Sequence, residues 1–207
     1  MILLTVFYGV FLLGIGFLGF SMLSSLRAEA PYVPTGRRDL KKILEAAEIK
    51  PGEVFYDLGS GDGRAVRAAA RLGARAVGFE QSWLLVWWSR LWWRTATTRQ
   101  CGFGRNARVL FRPSACRRSQ SFLTTPPSVG SASFLKKNYL RENLSDADVI
   151  FCYLMPKAME HLKEKFETEL KPGTRIFSRA FKIPGWTPQA RLQFSRRAPP
   201  VYVYVKE

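Results

Sequence analysis

The sequence predicts an α/β fold, a doubly wound and mostly parallel sheet, on three observations. The first is the run Val54-Phe55-Tyr56-Asp57-Leu58, apolar and of strand character, which leads through Gly59-Ser60-Gly61-Asp62-Gly63-Arg64 into an alanine-rich helix over 65–72. The second is the alternation of strand and helix patterns that follows it. The third is the end of the chain, where two strand patterns, 192–194 and 201–205, have no helix between them and predict an antiparallel hairpin.

In chain order, residues 2–23 carry no charge and are dominated by Leu, Phe, Val, Ile and Gly. A helix of that length spans roughly 33 Å, enough for a hydrocarbon core of ~30 Å. A transmembrane anchor over 1–25 is predicted, followed by one domain over 26–207. A cleaved signal peptide is the rival, because Ala28-Glu29-Ala30 resembles a cleavage site. Against it, no Lys or Arg precedes the apolar core and that core is too long. Arg27, Arg37, Arg38, Lys41 and Lys42 follow the span, so the domain is expected on the cytoplasmic side. Within the span, Gly14-Ile15-Gly16-Phe17-Leu18-Gly19 spells a dinucleotide fingerprint. It follows no strand, so it is read as a decoy.

Pro31-Tyr32-Val33-Pro34-Thr35 is an extended linker, with Tyr32 and Thr35 as candidate lid residues. Leu40, Ile43, Leu44 and Ala47 mark a helix over 38–49, which Lys50-Pro51-Gly52 stops. The glycine turn comes next. Its Asp-x-Gly-x-Gly-x-Gly spacing is neither the dinucleotide fingerprint nor a phosphate loop, but glycines here let backbone N–H groups approach a ligand. A second strand, 74–79, ends in Glu80. An acid at that place in a doubly wound fold accepts hydrogen bonds from ribose hydroxyls, because both strand ends face one crevice. The two features together indicate an adenosine cofactor.

Residues 82–94 hold five of the six tryptophans and are apolar nearly all round. Burial by a neighbouring segment is the plainer expectation. A membrane-interface face or a nucleic-acid stacking surface would require exposed rings. Residues 99–133 are basic, rich in Ser, Thr, Pro and Gly, and lack a hydrophobic period, so they are expected to be a structureless insertion. A strand resumes at 132–138, ending in Asn138. Residues 149–154 form a buried strand, 157–170 an amphipathic helix, and 174–181 another strand.

Lys and Arg outnumber Asp and Glu by 32 to 16, a net charge of +16. Such an excess suits anionic partners, nucleic acid or lipid headgroups. Cys101, Cys116 and Cys152 are odd in number and contain no Cys-x-x-Cys, which argues against a disulfide framework or a zinc site.

The glycine turn followed by a strand and an acid resembles the class I S-adenosylmethionine-dependent methyltransferases, whose fold is Rossmann-like. Tyr32-Val33-Pro34-Thr35, Ala76-Val77-Gly78-Phe79-Glu80, Trp83-Leu84, Val86-Trp87-Trp88-Ser89-Arg90 and Phe181 with Pro184-Gly185-Trp186-Thr187-Pro188 narrow the resemblance. They are similar to the membrane-anchored protein-lysine methyltransferases of mitochondria and their small bacterial relatives. Animal members of that family methylate lysines on the c-ring protein of ATP synthase and on the adenine nucleotide translocase. The resemblance implies S-adenosylmethionine as cofactor, with Asp57, Gly59, Ser60, Gly61 and Gly63 at its methionine end, Glu80 at the ribose and Asn138 near the adenine. Asn138 stands where the family usually has Asp. Tyr153, Met155, Pro156 and Trp186 are the implied acceptor-channel candidates, with no residue forced as a base. A protein substrate and a membrane location are expected. A nucleic-acid or small-molecule methyltransferase, or a non-catalytic membrane-surface binder, are the alternatives.

Overall fold

The computed structural model describes residues 7–9, 11–12, 14–16, 33–102, 130–196 and 198–207. Two units divide the chain, Met1–Val33 and Pro34–Glu207. In the first, residues 7–9, 11–12 and 14–16 are helical. The rest of the span expected over 2–23 lies outside the described residues, as does Tyr32. No helix among the described residues is long and apolar enough to cross a membrane.

The second unit runs α1 (Arg37–Ala46), β1 (Val54–Leu58), α2 (Arg64–Arg71), β2 (Arg75–Glu80), α3 (Trp83–Gly102), β3 (Ala132–Lys136), a 3-10 turn (Tyr139–Arg141), β4 (Val149–Cys152), α4 (Pro156–Glu169), β5 (Arg175–Arg179), β6 (Ala190–Leu192) and β7 (Val201–Val205). The strands form one sheet in the order β3-β2-β1-β4-β5-β7-β6. β3, β2, β1, β4 and β5 are parallel, and β7 pairs antiparallel with β5 and with β6. The mixed sheet and its terminal hairpin match the sequence expectation. Strand order reverses between β1 and β4, so the crevice at their carboxyl ends is where an open sheet of this kind takes a ligand.

Alternation along the strands divides the core in two. Phe55, Phe151 and Phe177 face Leu40, Ile43 and Leu44 of α1 and Ala65, Val66 and Ala69 of α2. Tyr56, Leu58, Ile150 and Ile176 face Met159, Leu162 and Phe166 of α4. Each large side chain removed from water in this way stabilises the sheet by about 1.5–3 kcal/mol. α1 ends earlier than the 49 expected, because Glu48 takes a positive φ of 48° and the Arg175 Nη1 donates to the Ala47 carbonyl at 2.6 Å.

Two expectations are corrected. The insertion of 99–133 is shorter, since α3 continues to Gly102 and β3 begins at Ala132. No proline or glycine interrupts the helix before Gly102, and the returning chain is fixed where the Gly130 N–H donates to the Ala70 carbonyl at 3.0 Å. Residues 103–129 lie outside the described residues. The tryptophan-rich helix is also not buried all round. Val86 and Ser89 are buried and Trp93 packs against the core, yet Trp83, Trp87, Trp88, Leu91 and Trp92 are between 42% and 56% exposed. The core takes only a narrow stripe of α3, so a helix apolar on every side leaves its outer face uncovered.

Candidate functional site

The glycine turn joins β1 to α2 at the carboxyl edge of the sheet. Gly59, Gly61 and Gly63 have φ of 80°, 53° and 72°, a region side chains enter at a cost of about 1–2 kcal/mol. A Cβ at Gly63 would overlap the Phe134 ring and lie 3.0 Å from the Ser89 Oγ, and one at Gly59 would lie 2.9 Å from Leu154 Cδ2. Glycine is therefore required both for the turn and for the close approach of β3, α3 and the end of β4. The turn is tied down from within. The Phe79 carbonyl accepts from the N–H groups of Gly59 (2.9 Å) and Ser60 (3.0 Å), and the Gly63 N–H donates to the Ser60 carbonyl at 2.8 Å.

Glu80 closes β2 beside this turn. One carboxylate oxygen accepts from the Gly61 N–H and the other from the Ser82 N–H, both at 2.9 Å. The same side chain thus shapes the turn and starts α3, a role the sequence did not suggest. Each oxygen retains a lone pair for a hydroxyl donor. Asp62 accepts from Arg64 through both Nε and Nη2, at 2.8–3.0 Å. Burial raises its carboxyl, but the Arg64 hydrogen bonds and charge, with Arg67 behind them, outweigh burial and hold it below the usual range. Arg64 Nη1 also donates to the Thr35 carbonyl at 2.8 Å, tying the candidate lid residue Thr35 to the turn.

Asp57 is different. It is 4% exposed, and no hydrogen bond from the described residues reaches its carboxylate. Burial pushes its pKa well above the usual carboxylate range, and the charges of Glu80 and Asp62 push it further. In a chain of net charge +16, three carboxylates converge on one edge.

Ser60 is buried and, with Asp57, Gly59, Gly61, Gly63 and Glu80, is brought into one site. Asn138 lies just beyond β3 and is half-buried. Its Oδ1 accepts from the Leu140 N–H at 3.0 Å, so it caps the 3-10 turn and leaves its amide N–H groups for a ligand. Tyr153, Met155 and Pro156 follow β4 next to the glycine turn, through the Leu154 contact with Gly59. Met155 and Pro156, the first residue of α4, are exposed.

Trp186 is not brought to this group. Its Nε1 donates to the Glu167 Oε1 at 3.1 Å, and its ring meets Tyr204 at 6.1 Å. Tyr204 pairs with Ile176 near the start of β5, and Glu167 lies in the last turn of α4. Both are at the opposite edge of the sheet. Cys152 is buried against Met159 and Ser178, and burial pushes its thiol up to about 12. His161 is exposed on α4. Cys116 lies outside the described residues.

The edge fits S-adenosylmethionine on its own chemistry. A buried carboxylate that no described residue bonds suits an ammonium, the acid cluster suits a cofactor carrying a sulfonium, and Glu80 has acceptor capacity for ribose hydroxyls.

Comparison with known proteins finds relatives that share one activity class, methyl transfer. A family described as the ANTKMT methyltransferase domain matches residues 96–190. The protein-lysine N-methyltransferase of Saccharolobus islandicus is 30% identical over 84% of this chain and 92% of its own length. The adenine nucleotide translocase lysine N-methyltransferase of Mus musculus is 29% identical over 80% of this chain, which spans 59% of that relative. A lysine N-methyltransferase of Rattus norvegicus, named for the c-ring protein of ATP synthase, is 29% identical over 76% of this chain and 59% of its own length. Among solved structures, an RNA methyltransferase from Salinibacter ruber, in complex with S-adenosyl-L-homocysteine, superposes with a TM-score of 0.64. It is 28% identical over 84% of this chain and 93% of that one.

Proposed function

The chain belongs to the protein-lysine N-methyltransferase family, S-adenosylmethionine-dependent enzymes of the class I fold, and on that premise we propose that it methylates lysine side chains of membrane-associated proteins. The observation that carries the reading is the segment Tyr153–Pro156 set directly against the glycine turn by the Leu154 contact with Gly59. An acceptor arriving over the end of β4 meets the cofactor there.

When bound, the cofactor would supply a methyl activated on a sulfonium: a neutral amine would form the new N–C bond in line as the C–S bond breaks, with S-adenosylhomocysteine as the leaving group and the extra proton passing from nitrogen to water. Asp57 would receive the ammonium of the methionine end, and Glu80, which holds Gly61 in place, would accept from the ribose. Asn138 offers its amide N–H groups to the adenine. Tyr153 and Met155 flank the entry of the lysine. Their apolar surfaces displace water from the incoming amine and so favour its neutral, nucleophilic form. Positioning of that amine is the main contribution of the protein, since the leaving group is already activated.

Two features support a membrane setting, and a third supports a protein acceptor. Residues 2–23 are long and apolar enough for an anchor, and the basic residues after them favour a domain on the cytoplasmic side. The exposed tryptophans of α3 suit the headgroup level of a bilayer. The substrates for which two mammalian relatives are named, the c-ring protein of ATP synthase and the adenine nucleotide translocase, support a protein acceptor.

The test is incubation of the full chain with methyl-labelled S-adenosylmethionine, membrane proteins and total RNA, followed by hydrolysis and separation of the labelled products. Label in methyllysine is expected. Label confined to RNA would replace the lysine reading with the nucleic-acid alternative, and label in neither would reject both.

A further inference from the structure

We propose that Arg179 holds the carboxylate of the cofactor's methionine end, so that Asp57 and Arg179 together recognise an amino-acid head group. The proposal rests on the cofactor reading above and adds to it a residue from the far side of the crevice.

Arg179 ends β5 and is 4% exposed. Its Nη2 donates to the Asp39 Oδ2 at 2.8 Å. Its Nε and Nη1 are buried and have no hydrogen-bond partner among the described residues. Buried donors are rarely left unmade, because the lost hydration is not returned. Two on one guanidinium therefore point to an acceptor that is not part of the folded chain. The side chain is held for that purpose from two sides, by Asp39 of α1 and by the Tyr153 ring, whose centroid lies 5.6 Å from Cζ.

Its position matches the head group. Asp57 follows Phe55, and Arg179 follows Phe177, by two residues on their strands, so both side chains emerge on the face covered by α1 and α2. Both lie at the carboxyl edge. A single strand, β4, separates β1 from β5, a gap of roughly 10 Å between backbones, and Tyr153 follows the end of that strand. An arginine side chain and an amino-acid head group together bridge this gap.

The usual donors for such a carboxylate are engaged elsewhere. The N–H groups of Gly59 and Ser60 go to the Phe79 carbonyl, that of Gly61 to Glu80 and that of Gly63 to the Ser60 carbonyl. On the same face Arg179 offers what the turn cannot. An alternative source of the same chemistry is a backbone carbonyl or carboxylate of the acceptor protein, which would reach Arg179 only in the complex with substrate.

The experiment uses the full chain without acceptor. S-adenosylhomocysteine and its decarboxylated analogue, which keeps the ammonium, are titrated calorimetrically into wild type, Arg179→Met and the pair Asp39→Asn with Arg179→Gln. The double variant removes the ion pair as a unit and avoids a stranded buried charge. Wild type is expected to prefer S-adenosylhomocysteine by roughly tenfold or more, and the folded variants should bind the two ligands within about twofold of each other. Equal binding by wild type overturns the proposal without any variant. Preference that survives in either folded variant overturns it too and assigns the carboxylate to another donor. Binding of neither ligand by wild type refutes the cofactor reading itself.

Discussion

Alanine at three glycines separates backbone strain from close packing around the glycine turn. Gly52, Gly59 and Gly63 all have positive φ, at 89°, 80° and 72°. A Cβ at Gly52 meets nothing within 4 Å, one at Gly59 meets the end of a flexible leucine, and one at Gly63 runs into the Phe134 ring and approaches Ser89. Left-handed backbone costs alanine about 1–2 kcal/mol, and the stiffer unfolded chain returns about 0.4–1 kcal/mol. Gly52→Ala should therefore cost about 1 kcal/mol. Gly59→Ala should cost slightly more, since Leu154 can turn aside. Gly63→Ala adds an overpacking penalty of about 1–3 kcal/mol, because Phe134 is fixed in β3 and Ser89 in α3. Its total should reach about 2–4 kcal/mol. Urea unfolding of the three variants, compared at equal slope, measures these differences. A Gly63→Ala variant no less stable than Gly52→Ala would refute the claim that α2, α3 and β3 are packed around that position.

Asp57→Asn should raise the stability of the ligand-free chain at neutral pH by about 1–3 kcal/mol while weakening S-adenosylhomocysteine binding. The folded Asp57 pKa is raised, so its contribution to stability is complete below the unfolded value of about 3.9 and is lost as pH rises through the folded one. Thermal unfolding across that interval checks the sign. The ammonium of the head group favours ionised Asp57, so affinity should rise with pH over the same interval and binding should release protons, read by calorimetry in buffers of different ionisation enthalpy. Glu80→Gln should weaken binding by about tenfold or more and also lower stability, because the amide presents a donor to the N–H of Gly61 or Ser82. Trp87→Ser with Trp88→Ser should leave the unfolding free energy within about 0.5 kcal/mol of wild type but reduce sedimentation with anionic vesicles. A large loss of stability would instead show that these rings are packed.

The glycine turn, β1, β2 and Glu80 were legible because their signals are local: a strand, a turn that only glycine can make, and an acid at a strand end. The hairpin of β6 and β7 was legible through the missing helix. What α3 covers was not, since a helix apolar on all sides has no period from which to read its inner face. Arg179 was hidden for another reason. In Arg175-Ile176-Phe177-Ser178-Arg179 it reads as a solvated strand end, and its burial depends on Asp39, 140 residues earlier. The place of Trp186 was not legible either, because its partners Glu167, Tyr204 and Lys206 come together only in the folded sheet. Asn138 lies two residues past the end of β3 rather than at it, and its Oδ1 is taken by the capping bond from the Leu140 N–H.

The most direct measurement is calorimetric titration of S-adenosylhomocysteine into the full chain, with Asp57→Asn as the control. Saturable binding at one site per chain, weakened in the control while its fold is kept, is the result expected of a cofactor crevice at the carboxyl ends of β1, β2 and β4. A folded chain that takes up no S-adenosylhomocysteine, or a control that binds as tightly as wild type, would contradict the assignment of that edge as the cofactor site.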